Sequence, residues 1–382
     1  MFFKAKELVV LDVGSRVLSA VVALKKNRDI FYVKAFSESL YSGYEDGKWF
    51  DTDELKECAR EVLAQALARG GARPKTLYVS APAEFATTTM RDVAVMLDRP
   101  RRVVDADIDY LFKKGDTFES NSLFMPVNTS AVYYTCDDAS RKLVDPRGIV
   151  ARKVAARATY VSVERAFAEI FDSIASSAGF SEVEYISSEW AQGLTLLERE
   201  QRDRDCLLLN IGYLSSSVSL IKGEGLLDLK SFSLGGAHIA AKIFEAFDAP
   251  FDIALEVRDM VDLNLSYAPD DYITASDGSG FLCAEVVTVI KDGLDLLIST
   301  IANAVELIGY DLSSYSPIYL TGDGVTGIRG AVKYIGEALG NEIDVLSPRL
   351  PAYNKPHYSS AVALVSIASK LTNTRRQSLL RA

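Results

Sequence analysis

Two stretches of the chain place apolar strands around a glycine-containing turn. Residues 8–24 (LVVLDVGSRVLSAVVAL) contain two runs rich in valine and leucine on either side of a Gly-Ser break, which is typical of a β-hairpin. Residues 205–236 (DCLLLNIGYLSSSVSLIKGEGLLDLKSFSLGG) repeat the order of strand, turn and strand and then add a third strand. Residues 12–21 can be laid beside residues 210–219 in the same polar and apolar order. We therefore predict two halves that open on one plan.

Helical periodicity follows each opening. Asp51 and Glu54 have the spacing of an N-cap box before ELKECAREVLAQALA, and this segment runs into Gly70 and Gly71. The pattern predicts an amphipathic helix there, with a short strand, TLYVSAP, after it. Other predicted helices cover residues 162–178, 189–198, 239–246, 254–261, 285–308, 331–339 and 359–370.

The chain changes character between residues 84 and 161. The segments DVAVML, SLFMPVNTSAVYYT and VARKVAARATYVSV have the composition of strands, and one helix is predicted near residues 104–114. This segment is predicted to be a small α+β unit inserted into the first half.

Composition limits the classes of function. At 382 residues and 48% apolar side chains the chain is too long for one core, which predicts two or more domains. A net charge of -10 argues against a nucleic-acid surface, which needs clustered lysine and arginine. The only histidines are His238 and His357, so a Ser-His-Asp hydrolase or a histidine-rich metal site is not expected. Four separated cysteines without a C-x-x-C pair predict neither zinc nor disulfides.

No segment predicts export or a membrane span. The N-terminal MFFKAKELVVLDVG lacks the apolar core and cleavage site of a signal peptide, and no stretch approaches 18 uncharged apolar residues. The last twelve residues, LTNTRRQSLLRA, carry three arginines and no acid, and we expect them to be loosely ordered. Their apolar area is small, so strong membrane binding is not expected. The expected location is cytoplasmic.

The glycine turns have the composition of phosphate-binding loops. A hairpin turn of glycine and hydroxyl residues can wrap backbone N–H groups around a phosphate because no side chain blocks the approach. Two facing turns would clamp a nucleotide tail. Asp12, at the end of the first strand, has the carboxylate that could hold Mg²⁺ through water.

The order of these segments resembles the actin, Hsp70 and sugar-kinase superfamily. Residues 11–16 (LDVGSR) are similar to its phosphate-1 loop, residues 209–217 (LNIGYLSSS) to phosphate-2, and residues 320–325 (LTGDGV) to its adenosine motif. Residues 186–194 (ISSEWAQGL) are similar to the connecting helix that carries an acid or amide near the γ-phosphate. The resemblance implies an α/β fold of duplicated, actin-like (ribonuclease H-like) domains.

Within that superfamily the inserted unit resembles the SHS2-type subdomain of the bacterial cell-division family FtsA. The likeness rests on residues 124–154, with the run Asp145 to Ile149, and on the C-terminal NKPHYSSAVALVSIA. It implies five regions: 1–83 with 163–203 (subdomain 1A), 84–162 (1C), 204–236 with 315–370 (2A), 237–314 (2B) and a tail of residues 371–382.

The resemblance also implies a set of residues around ATP and Mg²⁺. Asp12 would be the magnesium-side acid, and Glu189 would orient water. The phosphates would be contacted by the residues of the two turns: Gly14, Ser15, Arg16, Asn210, Gly212, Tyr213 and Ser215. The rest of the nucleotide would be bordered by Gly235, Gly236, Arg258 (ribose), Gly322, Asp323 and Gly324 (adenine).

Two of these loops depart from the superfamily pattern. Phosphate-2 has Asn210 in place of its acid, and Tyr213 and Leu214 in place of its glycine pair. An amide cannot supply the negative charge that helps to fix Mg²⁺, and two bulky side chains would crowd the γ-phosphate. Asp323 stands where the adenosine motif has glycine. We expect weak ATP hydrolysis or none, and reduced nucleotide binding.

The implied function is a division scaffold. An FtsA-like protein would self-associate through the inserted unit and bind an FtsZ-like division protein. One alternative is a PilM-type platform for pilus assembly, which shares the fold and the inserted unit. The other is a small-molecule kinase, which needs a catalytic aspartate that the sequence does not single out.

Overall fold

The protein is described by a computed structural model that covers residues 6–26, 30–116, 122–137, 140–312 and 317–379, with side chains as far as residue 372. The first part of the chain forms β1 (Lys6–Val13), β2 (Val17–Lys25), β3 (Phe31–Leu40), β4 (Tyr44–Glu45), β5 (Lys48–Trp49), α1 (Thr52–Gly70) and β6 (Thr76–Ala81). The inserted unit forms β7 (Ala86–Arg102), α2 (Asp105–Gly115), β8 (Phe124–Cys136) and β9 (Val150–Glu164). The chain then returns through α3 (Arg165–Ser177), β10 (Glu182–Ser187), α4 (Ser188–Leu196) and α5 (Arg199–Arg202).

The remaining elements belong to the second part of the chain. They are β11 (Cys206–Ile211), β12 (Ser216–Lys222), β13 (Gly225–Phe232), α6 (Gly236–Phe247), α7 (Phe251–Met260), β14 (Tyr272–Thr274), β15 (Gly280–Leu282), α8 (Cys283–Ile308), β16 (Ile318–Thr321), α9 (Ala331–Leu339), β17 (Ile343–Val345) and α10 (Ser359–Leu379).

Two five-stranded sheets repeat one strand order. The first is β3-β2-β1-β6-β10, and the second is β13-β12-β11-β16-β17. In each sheet the first three strands in chain order pair antiparallel. The other two strands, β6 and β10 or β16 and β17, run parallel to β1 or β11. The prediction of two halves on one plan is confirmed.

The inserted unit has its own sheet. Its strands pair in the order β7-β9-β8, apart from the sheet of β1 and β2. Helix α2 covers one face, and Val95, Leu111, Tyr134 and Val154 are among the buried side chains of a separate small core. Alternating apolar residues on these strands account for a sheet with one covered face.

Helix α1 has the predicted start and stop, with one difference. Asp51 accepts hydrogen bonds from the backbone N–H groups of Asp53 and Glu54, and the helix ends at Gly71 in a left-handed conformation. The Glu54 carboxylate bonds to Ser42 instead of to the Asp51 backbone. The N-cap prediction is confirmed, and the reciprocal half of the capping box is replaced by a bond to the neighbouring loop.

Helices α4 and α10 lie between the two halves. Apolar side chains from both sheets and both helices form one buried cluster that includes Val10, Ile186, Leu208 and Leu364. Helix α10 packs against β1, β2 and β6 of the first half, although it follows the second half in the chain. The two halves therefore share a core at the base of the cleft.

The last helix is longer than predicted. It continues through Leu379, nine residues past Lys370, because no glycine or proline interrupts the segment after Lys370. The backbone of residues 371–379, part of the tail expected to be loosely ordered, is helical, and residues 380–382 lie outside the described part. Among the described residues no helix is long and apolar enough to cross a membrane.

Candidate functional site

The turns β1–β2 and β11–β12 face each other across a cleft between the two halves. A cavity of about 140 Å³ lies between them. It is lined by eleven of the residues singled out in the sequence: Asp12, Gly14, Ser15, Arg16, Glu189, Asn210, Gly212, Tyr213, Ser215, Gly322 and Asp323. The structure thus brings together residues more than 300 positions apart, and the role of each stays a prediction.

Four of the predicted residues do not line this cavity. Gly235, Gly236 and Gly324 pack against backbone of neighbouring loops, and Arg258 donates to the carbonyl oxygen of Gly236 at 2.9 Å. Arg258 is buried behind the loops and also pairs with Asp259.

The two turns touch each other directly. The backbone N–H of Leu214 donates to Ser15 Oγ at 3.1 Å, and the guanidinium carbon of Arg16 lies 4.3 Å from the centre of the Tyr213 ring. The Leu214 side chain packs against the core of the first half. A cation stacked on an aromatic ring is attractive, so these side chains help to hold the two turns together.

Backbone N–H groups of the turns already have partners. Gly14 N–H donates to Val17 O and Gly212 N–H to Ser215 O, both at 3.0 Å. Gly236 N–H donates to Gly212 O at 2.9 Å, and Gly324 N–H donates to Ile211 O at 2.9 Å. These bonds close the two turns and join the second turn to the neighbouring loops.

Three loops of the second half pack glycine against glycine. A Cβ atom on Gly236 would lie 2.1 Å from Gly324 O, one on Gly324 would lie 2.2 Å from Gly212 O, and one on Gly235 would lie 2.4 Å from Gly212 O. Gly322 has a φ of +88°, where other residues are strained, and its Cβ would meet Ile211 O at 2.3 Å. Close backbone packing explains these glycines without a ligand.

Asp12 is engaged by hydroxyl groups. Ser360 Oγ donates to Asp12 Oδ1 at 2.5 Å, and burial raises the pKa of the carboxyl group against the opposing effect of hydrogen bonds from Ser360 and Ser80.

Glu189 begins α4 and is 3% exposed. Burial, and then the negative charge of Glu84, raise the pKa of Glu189 to about 8, so its carboxyl group is mostly protonated at neutral pH. Ser217 Oγ donates to Glu189 Oε1 at 3.4 Å. Within the described part of the chain, Glu189 Oε2 and both amide atoms of Gln192 have no hydrogen-bond partner.

The Glu189→Gln variant should reveal this protonation. Because the folded protein holds the Glu189 proton up to about pH 8 and the unfolded chain releases it near pH 4.5, wild-type stability falls as pH rises between these values. Glutamine has no proton to lose. We compare the free energies of unfolding of the variant and the wild type by chemical denaturation. From pH 5 to pH 8, their difference should shift in favour of the variant by at least about 1 kcal/mol. A pH-independent difference would show that Glu189 is ionised when folded.

His357 joins the two sides of the cleft. It lies just before α10, where Tyr358 packs its ring on Phe36 of β3. Its Nε2 lies 2.6 Å from Glu38 Oε1 in the first half, and its Nδ1 lies 2.9 Å from Asp323 Oδ2 in the second half. Hydrogen bonds to Asp323 and Glu38 raise the pKa of His357 to about 10, so the imidazole is charged at neutral pH and bridges two carboxylates.

The sequence predicted no role for five further residues near the turns: Glu38, Glu84, Gln192, His357 and Ser360. Three of them lie within segments compared with the superfamily, but only long-range contacts bring them to the cleft. His357 carried one signal, since it is one of two histidines and lies in the segment NKPHYSS that was compared with a family motif.

The contacts between the two turns leave a narrow space for magnesium and a nucleoside triphosphate. The cavity of about 140 Å³ is less than half of the roughly 300 Å³ at the lower end of ligand pockets. No group of three or more His, Cys, Asp or Glu side chains in the described ranges is placed to hold a metal ion. The Tyr213 ring and the Ser15–Leu214 bond stand between the two turns.

Comparison with solved structures identifies the architecture. A structure of the PilM–PilN type IV pilus biogenesis complex matches with a TM-score of 0.62 at 16% identity, covering 96% of this chain and 99% of that one. MreB 5 of Spiroplasma citri bound to AMPPNP matches at 0.55 and 11% identity, covering 98% of each chain. The fold is actin-like. The ethanolamine utilization protein EutJ from Carboxydothermus hydrogenoformans also matches, at 0.53 and 14% identity, over 94% of this chain and 89% of that one.

The actin-like fold confirms the predicted fold class, and identities of this size show the fold alone. No protein-family model and no curated protein sequence matches the chain.

Proposed function

We propose that this protein is an actin-like scaffold that assembles with protein partners and does not turn over ATP. One observation carries the proposal: Tyr213 and Leu214 fill the phosphate-2 turn and bond to the facing turn. Solved actin-like neighbours include MreB 5 bound to AMPPNP, which makes ATP with Mg²⁺ the ligand to test. Nucleotide binding to this chain is reduced because its own side chains occupy the space.

Exposed apolar side chains support assembly. On the inserted unit Met96, Tyr110 and Val150 are about 60% exposed. On the second half, the partly exposed rings of Phe244 and Phe251 pack against each other. Exposed apolar side chains on two different surfaces allow head-to-tail contacts that propagate. Self-association through the inserted unit is part of the proposal.

The partner proposed first is an FtsZ-like division protein, at the cytoplasmic face of the division site. The support is the resemblance of residues 124–154 and of the C-terminal NKPHYSSAVALVSIA to FtsA. The subdomain boundaries stated with that resemblance belong to the same proposal, and the separate sheet of the inserted unit agrees with them.

A pilus assembly platform is the second candidate. Its support is the match over almost the whole chain to a structure of the PilM–PilN complex. The kinase alternative lacks support, because both aspartates that line the cavity are engaged, Asp12 by Ser360 and Asp323 by His357.

Phosphate release tests the absence of turnover. We expect purified protein with Mg²⁺ and ATP to release phosphate no faster than the Asp12→Ala variant. Steady release by the wild type that Asp12→Ala abolishes would contradict the proposal.

Co-sedimentation tests the partner. We expect the protein to pellet with FtsZ filaments, and the Met96→Asp/Val150→Asp variant to lose self-association seen by electron microscopy. The Lys222→Ala variant, altered at an exposed ion pair of the second half, is the control. Binding to a pilus inner-membrane peptide instead of FtsZ would select the second candidate, and monomers without either partner would refute the scaffold.

A further inference from the structure

Among the contacts that join the two sides of the cleft, three lie at the turns and at the mouth. At the turns, Ser15 bonds to the Leu214 backbone and Arg16 stacks on Tyr213. At the mouth, His357 bonds to Asp323. In actin-like architecture these are the positions expected for the phosphates and for the adenosine, so the chain bridges the cleft where a nucleotide would bridge it.

The bridge at the mouth is anchored on the first half. His357 is held there by Glu38 at 2.6 Å, and Glu38 is itself fixed by a hydrogen bond from Ser19 at 3.2 Å. The rings of Tyr353 and Tyr358 lie 5.2 Å and 5.3 Å from the Phe36 ring of β3. The imidazole therefore bonds to Glu38 of the first half and to Asp323 of the second half.

Behind the turns, the two halves share the core around α4 and α10, and the first residues of both helices also line the cavity. Closure by a ligand normally depends on bonds that the ligand makes to both sides. Here both sides are already bonded to each other.

We infer that the protein holds its own cleft closed without a nucleotide, through the Ser15–Leu214 bond, the Arg16–Tyr213 stack and the Glu38–His357–Asp323 bridge. This inference rests on the proposed function, because a scaffold that does not hydrolyse ATP needs another means of keeping the assembly-competent shape. A partner then meets a preformed surface at any ATP concentration.

Distance measurements between spin labels test the inference. Labels on Ala64→Cys in α1 and Ala246→Cys in α6 report one distance between the halves, and the four native cysteines are buried. We expect one narrow distance distribution for the full chain without nucleotide, unchanged by Mg²⁺-ATP. The Arg16→Ala/His357→Ala variant should give a broader distribution at longer distances.

Control variants distinguish opening of the cleft from loss of the folded structure. Arg157→Ala removes an exposed bidentate ion pair of the inserted sheet and should leave the distances unchanged. Should the double variant not fold, Arg16→Lys and His357→Gln keep the size of each side chain while weakening its contact.

The inference fails if the wild type is broadly distributed and narrows on adding Mg²⁺-ATP, or if the double variant stays as narrow as the wild type. A closed cleft with steady phosphate release would refute the proposed function and spare the inference. An open cleft without phosphate release would refute the inference and leave the proposed function standing.

Discussion

Replacing Tyr213 and Leu214 together by glycine is expected to increase the affinity for Mg²⁺-ATP by at least about tenfold, or 1.4 kcal/mol. The change removes the ring under Arg16 and the side chain that packs on the first half. It thereby frees the guanidinium and opens the turn. Glycine loses more backbone entropy on folding, so some stability is lost, about 1 kcal/mol per residue. Calorimetric titration of the variant beside the wild type measures the effect.

The control for this gain is a pair of exposed residues outside the cleft. Leu265→Gly/Tyr272→Gly removes the same two side-chain types where they are 58% and 69% exposed. We expect no gain in affinity there. Equal affinities of the wild type and the Tyr213→Gly/Leu214→Gly variant would mean that something other than these side chains excludes the nucleotide. Adding Asn210→Asp to the Tyr213→Gly/Leu214→Gly variant should raise the affinity for Mg²⁺-ATP by less than the two glycine substitutions do, because the new carboxyl group faces the buried Glu189.

The Gly236→Ala substitution is expected to destabilise the protein by about 3 kcal/mol, at the upper end for added bulk in a packed core. The new methyl group would lie 2.1 Å from Gly324 O and 2.7 Å from two further backbone atoms of that residue. A backbone loop cannot swing away as a side-chain tip can, and Gly324 is itself bonded to Ile211 O. Urea denaturation followed by circular dichroism measures the loss.

Gly327→Ala is the matched control in the same loop region. A Cβ atom there has no neighbour within 4 Å, and the residue is exposed. We expect its free energy of unfolding to lie within about 1 kcal/mol of the wild type. If Gly236→Ala were equally tolerated, the three loops would be further apart than described, with room for a ligand between them.

Local signals were enough to predict most of the fold. The hairpins of residues 8–24 and 205–236, the helix behind Asp51 and the strands of the inserted unit follow from apolar periodicity and from glycine stops. Tertiary context decided the differences. The Glu54 carboxylate accepts a hydrogen bond from Ser42, and the last helix continues beyond Lys370.

The candidate site was predictable only in part. Motif order placed eleven residues around one cavity, because turns at equivalent ends of duplicated sheets must face each other. The departures at Tyr213 and Leu214 predicted crowding. The partners of that crowding, Ser15 and Arg16, lie about 200 positions away, and no local pattern links them. The same holds for His357, whose contacts join residue 38 to residue 323.

Calorimetric titration of the wild-type protein with ATP in the presence of Mg²⁺ tests the central claim, that the chain's own side chains occupy the nucleotide cleft. The structure predicts no measurable heat of binding at submillimolar ATP, since the two turns are bonded to each other and the cavity is about 140 Å³. A micromolar dissociation constant, about 8 kcal/mol of binding free energy, would contradict it.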